Sequence, residues 1–102
     1  MSNDSMSPEQ AYDQAVADLI VAKRALFEEE QRRPACRIAA IANLKESGYG
    51  MTEAKEILSL EPQYAAHKAQ VFLLEMEVLG KEAIAEMAKA HLWRSVNGAS
   101  VV

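Results

Sequence analysis

Apolar residues recur at three- and four-residue steps through most of the chain, and the rhythm is interrupted at "RRPAC", "ESGYG" and "SLEPQ". Such spacing gathers side chains on one face of a helix, and it predicts helices over about 8–32, 34–47, 52–59 and 62–96. Residues 1–6 and 98–102 fall outside the pattern and are expected to be a disordered leading tail and a frayed trailing one. The expected fold is all-α: a small helical bundle of three to four helices, one domain over 7–97, with one long C-terminal helix.

Local signals set these boundaries. In "SPEQ", Ser7 can cap a helix, Pro8 suits a first helical position, and Gln10 stands where a capping box needs it. Tyr12, Val16, Leu19, Ala22 and Leu26 then form one stripe. Pro34 disfavours helical geometry at Arg33 yet can itself open a second helix with Ile38, Ile41 and Leu44 inward; a kink is the other outcome. Gly48 can take the left-handed conformation that closes a helix. Thr52 is expected to cap the short helix carrying Ala54, Ile57 and Leu58, and Pro62 to open the last one.

That last helix would reach roughly 50 Å at 1.5 Å per residue. Phe72, Met76, Leu79, Ala83, Met87 and Ala90 line one flank, and Val71, Leu74, Val78, Ala85, Ala88 and Leu92 line another. Lys68, Glu75, Glu82, Glu86 and Lys89 share a narrow polar strip. More than half the circumference is apolar, so the helix needs partners on at least two sides, and a second copy of the chain is the simplest remedy. Trp93 and Arg94 belong to residue types enriched at binding hot spots, although Trp93 also aligns with Phe72 and Leu79 as a core position. Phe72, Met76, Leu79, Met87, Trp93 and Arg94 are therefore the expected self-association or partner-binding residues.

Composition narrows the class. Eighteen alanines and a single threonine make strands improbable. Asp and Glu number 15 against 11 Lys and Arg, for a net charge of −4, which works against general affinity for a phosphate backbone. The longest apolar runs, "VFLL" and "LIVA", are too short to cross a bilayer, and "MSNDSMSPEQ" does not resemble a secretory signal. One cysteine cannot form an internal disulfide, so a reducing cytoplasm fits best.

Little in the chain suggests chemistry. His67 and His91 lie roughly 36 Å apart along one helix and cannot share an ion there. The acidic strip lacks the Glu-x-x-His pairs of carboxylate-bridged metal sites, so neither metal nor cofactor is expected. Serine nucleophiles have no base and acid beside them, and "SGYG" lacks the strand, Lys and Ser/Thr of a phosphate loop. Cys36 sits in the first turn of a helix near Arg33 and Arg37, where dipole and guanidinium charge favour a thiolate; the plainer alternative is a small half-buried apolar residue. Arg32, Arg33 and Arg37 form a basic patch at the first bend that could receive an acidic partner or simply offset the preceding "EEE".

The stretch "NLKESGYGMTEAKEILSLEPQY" permits three uses. As a DNA-binding helix-turn-helix, it would present Gln63, His67 and Lys68 to bases, but that helix soon turns acidic at Glu75 and Glu77. As an interaction module, "LKESGYGMTEAKEIL", Leu44 to Leu58, resembles the first two helices of ubiquitin-associated-type domains, where a Gly-aromatic pair leads into a helix carrying Glu-Ala. The resemblance implies a tight turn at Gly48, an aromatic plug at Tyr49 and close helix contact at Ala54. It stops before the long helix, and ubiquitin-like binding does not carry over. As a connector, Tyr49, Met51, Ile57, Leu58 and Leu60 would cover one end of the bundle. The terminal Ser-Val-Val resembles short C-terminal ligands that add a strand to a sheet, and a disordered tail accounts for it equally.

Together these features lead us to expect a cytoplasmic, non-enzymatic helical protein acting by protein–protein interaction as an adaptor, regulator or inhibitor, such as a bacterial or phage accessory factor. It is expected to form a homodimer. The alternative is a dimeric DNA-binding regulator using residues 52–68, and a thiol-dependent protein centred on Cys36 ranks third.

Overall fold

The computed structural model describes residues 6–101, with side chains described over 6–97. Regular structure among them is entirely helical: α1 (Pro8–Gln31), α2 (Arg33–Glu46), α3 (Met51–Glu56), a 3-10 turn (Leu58–Leu60) and α4 (Pro62–Val101). The all-α expectation holds. No helix is long and apolar enough to cross a membrane among the described residues. Contacts divide the chain into two compact units: unit 1 holds residues up to Arg24 together with those from Met76 onward, and unit 2 is Ala25–Glu75.

In unit 1 the start of α1 is pinned by a reciprocal capping box. The Ser7 N–H donates to Gln10 Oε1 at 2.9 Å, and the Gln10 N–H donates to Ser7 Oγ at 3.1 Å, satisfying two N–H groups that a helix start leaves unpaired. The core is thin: Ala15 and Ala22 from α1, seven residues apart, with Val78 and Ala85 from α4, also seven apart. Tyr12, Val16 and Leu19 are half-buried around them. Lys23 Nζ lies 3.9 Å from Glu82 Oε2 with both side chains well exposed, a pair worth at most about 1 kcal/mol.

Unit 2 begins with the end of α1, and the junction with α2 is a kink. Arg32 stays helical (φ −80, ψ −10), its N–H donates to Glu29 O at 3.0 Å, and Cys36 donates back to Arg32 O at 2.9 Å. Pro34, in the first turn of α2, has no N–H to donate to the preceding turn, so the ladder lacks a bond there. The helix ends in a Schellman motif: Tyr49 N–H donates to Leu44 O at 3.1 Å and Gly48 N–H to Lys45 O at 3.0 Å. Gly48 carries φ +101, a conformation glycine reaches without a Cβ clash.

Several local expectations are corrected here. α3 is capped by Gly50 rather than Thr52, because Glu53 reaches back to accept the Gly50 N–H at 3.2 Å. Ala40, not Ile38, is the buried position of α2, and Ile38 is exposed. Ala40 and Ala54 are fully buried, and α2 packs on α3 and the 3-10 turn; alanine at both sites permits that close approach. Tyr49, Met51 and Leu60 are exposed, so Tyr49 is no plug and only Leu58 of the proposed end cover is buried.

The α4 helix opens on a cap the sequence reading passed over. Glu61 is buried, its Oε1 accepts the Tyr64 N–H at 2.8 Å, and its Oε2 accepts Asn43 Nδ2 at 3.2 Å. A carboxylate at a helix N-terminus is favoured by the unpaired N–H groups there. Helical backbone then runs for 40 residues, through Gly80 and past the expected end near 96. Each internal glycine costs about 1 kcal/mol relative to alanine, which tilts a helix toward breaking without forcing it.

Candidate functional site

Two regions combine burial, charge and exposed apolar surface in ways that merit a functional reading. The first is the outer face of α4 in unit 1. At 100° per residue, Val78, Ala85 and Leu92 lie about 180° from Met76, Ala83 and Met87. The former are buried or half-buried. On the opposite side Met76 is 50% exposed and Met87 71%, with Leu79 at 57% and Trp93 at 66% toward one edge of that face, and Ala83, Ala90 and Arg94 are exposed with them. Trp93 is thus not a core residue: the seam passes through Ala85 and Leu92, and the indole lies off it. Gly80 belongs to this face too, and a Cβ built there meets nothing within 4 Å.

Near the end of the face is an open groove of about 450 Å³ lined by Glu86, Lys89, Ala90, Trp93 and Arg94. The first four are related as i, i+3, i+4 and i+7, the four positions that form the hole into which a facing helix inserts one side chain. Ala90 gives the groove depth, Trp93 is its apolar wall, and Lys89 and Arg94 make its rim basic against the single Glu86.

The second region is a polar cluster in unit 2. The His67 side chain is 1% exposed and its Nδ1 lies 2.7 Å from Glu29 Oε2. A carboxylate only accepts, so Nδ1 carries the proton and donates. Arg32 Nη1 lies 2.9 Å from each Glu29 oxygen. The hydrogen bond from His67 holds the Glu29 carboxyl below its ordinary range, opposed by burial and helped by Arg32; the same Glu29 contact raises the Arg32 guanidinium. His67 Nε2 is buried with no hydrogen-bond partner. An open cleft of about 510 Å³ beside it is lined by Arg32, Cys36, Gln63 and His67 among small alanines. Cys36 is half-buried there and makes no hydrogen bond to the imidazole.

The expected site residues fall into separate places. Met76, Leu79, Met87, Trp93 and Arg94 share the outer face of unit 1, while Phe72 belongs to unit 2 and is 59% exposed. Of the basic patch, Arg33 and Arg37 are exposed, whereas Arg32 is committed to Glu29. Of the three residues assigned to base contacts, Gln63 and Lys68 are exposed, but His67 is buried against Glu29 and is withdrawn from any surface a groove edge could touch. Glu29, Asn43 and Glu61 were missed. Glu61 was detectable as a carboxylate directly before a helix-opening proline; Glu29 lies 38 residues from His67, and no local spacing marks the pair.

No group of three or more His, Cys, Asp or Glu suited to a metal ion occurs among the described residues. The fold and these surfaces define an all-α chain with a broad unshielded helix face. No family model, no curated protein and no solved structure matches it.

Proposed function

We propose that the protein is non-enzymatic and works by protein–protein interaction, as an adaptor, regulator or inhibitor that self-associates through the outer face of α4 in unit 1. The observation that carries this reading is the exposure of Met76, Leu79, Met87 and Trp93 on one continuous face. Monomers seldom leave contiguous apolar patches of more than a few hundred Å² bare, and larger ones mark interaction sites. The groove beside Trp93 adds an aromatic anchor next to Arg94, the pairing common in binding hot spots.

Sedimentation equilibrium over a concentration series tests the proposal. Association in the micromolar range is expected, and Met87→Asp should weaken it at least tenfold while leaving helix content unchanged. A chain that stays monomeric up to hundreds of micromolar would overturn the reading. Salt-sensitive retention on duplex DNA without self-association would favour the helix-turn-helix alternative instead.

A further inference from the structure

We propose, resting on that reading, that the occupant of the outer face is a second copy of this chain running antiparallel, related by a twofold axis beside Ala83, with the partner's Met76 packed against Ala90. Two observations support this arrangement over an unrelated partner or a parallel pair.

The first is spacing. Met76, Leu79, Ala83, Met87 and Ala90 follow one another at steps of three, four, four and three, an order that reads the same in both directions about Ala83. A twofold interface must be self-complementary. Antiparallel pairing sets Met76 against the partner's Ala90, Leu79 against the partner's Met87, and Ala83 against its own copy, so large faces small at the ends. Parallel pairing would stack Met76 on Met76 and leave two shallow Ala90 holes facing each other unfilled. Methionine, flexible and unbranched, suits an irregular socket.

The second is area. At roughly 150–250 Å² per large side chain, Met76, Leu79, Met87 and Trp93 at their observed exposures leave on the order of 400–500 Å² bare. One partner's share of a standard interface is about 800 Å². Ala83, Ile84, Ala90 and the aliphatic stems of Glu86 and Lys89 adjoin these residues and supply much of the rest. Alanine at the axis and Gly80 beside it allow helix axes about 8–10 Å apart, leaving facing Cα atoms about 3.4–5.4 Å apart at a Cα radius of about 2.3 Å.

The upper part of that range suits a disulfide, which makes the register measurable. With Cys36→Ser as background, single cysteines are placed at Ala83, Met76 and Ala90 and the full chain is oxidised mildly, helix content being checked by circular dichroism. The expected result is that A83C crosslinks with itself, M76C and A90C alone do not, and an equimolar mixture of M76C and A90C forms the mixed dimer. L79C mixed with M87C provides a second pair should either end variant lose its fold. Self-crosslinking of M76C or A90C would overturn the register in favour of a parallel pair. A dimer by sedimentation that crosslinks at none of these positions would overturn it while leaving self-association standing; a strict monomer would overturn both.

Discussion

The two opposite faces of α4 in unit 1 are both apolar, yet they are stocked differently. The inner face buries Val78 and Ala85, in the unit where α1 buries Ala15 and Ala22, whereas the outer face displays Met76, Leu79, Met87 and Trp93. Burial contributes about 25 cal/mol per Å², so the residues with most to gain from leaving water are the ones left in it. A chain shaped only by the stability of one copy would place them the other way round. The small inner residues instead let two helices approach closely, and the large outer ones remain available to a partner.

Charge placed on each face separates the two roles. Ala85→Asp buries an uncompensated carboxylate in the seam and should destabilise unit 1 by about 3–5 kcal/mol, seen as an early urea midpoint at any protein concentration. Met87→Asp, two residues away on the outer face, should change the unfolding of the dilute chain by no more than about 0.5 kcal/mol. Its effect should be confined to association. Equal loss of stability from both substitutions would end the distinction between an inner and an outer face.

Unit 2 extends the comparison, because its interior is partly ionic. Glu61 and His67 are buried beside Leu58 and Val71, where unit 1 has only small apolar groups. His67→Ala removes a buried side chain together with the main donor to Glu29 and should lower the midpoint of thermal unfolding. The Glu29 pair also imposes a pH dependence. Its carboxyl is held below the ordinary value of 4.5, first by the His67 hydrogen bond, so the unfolded chain takes up the proton more readily than the folded one. The stabilisation is complete above 4.5 and is lost as pH falls through the lowered folded value. Glu29→Gln should therefore differ most from the parent at neutral pH and converge on it in acid. Divergence that grows toward low pH would contradict the geometry.

Much of this organisation was written locally in the chain. The capping box at Ser7 and Gln10, the left-handed Gly48 and the opening of α4 at Pro62 rest on residues within one helical turn of each other, and each appears as read. Periodicity also divided α4 into the flank of Val78 and Ala85 and the flank of Met76 and Met87. What it could not tell is which flank the chain would cover, because helical spacing marks an apolar face without saying who shields it. For that reason Trp93 could be read either as core, by its alignment with Phe72 and Leu79, or as a binding anchor. Ile38 was misplaced: it fits the stripe, but the close contact of α2 with α3 selects Ala40. The Glu29–His67 pair depends on tertiary approach alone. Of the base contacts assigned to Gln63, His67 and Lys68, that approach buries His67 and leaves Gln63 and Lys68 exposed.

The smallest effect gives the finest test of the outer face. Gly80 sits inside a long helix where a Cβ would meet nothing within 4 Å, and nothing in one copy of the chain requires glycine there. Gly80→Ala should raise the stability of the dilute chain by up to about 1 kcal/mol through helix propensity and a less flexible unfolded state, a rise of roughly 4–8 °C in Tm for a domain of this size. In the antiparallel pair Gly80 lies opposite the stem of the partner's Glu86, so the same methyl group should weaken association by a few-fold. Opposite signs in the two measurements would locate a second copy close to Gly80. A gain in both would mean the face is paired elsewhere along α4, and a loss of stability in the dilute chain would mean that the position is already covered within one copy.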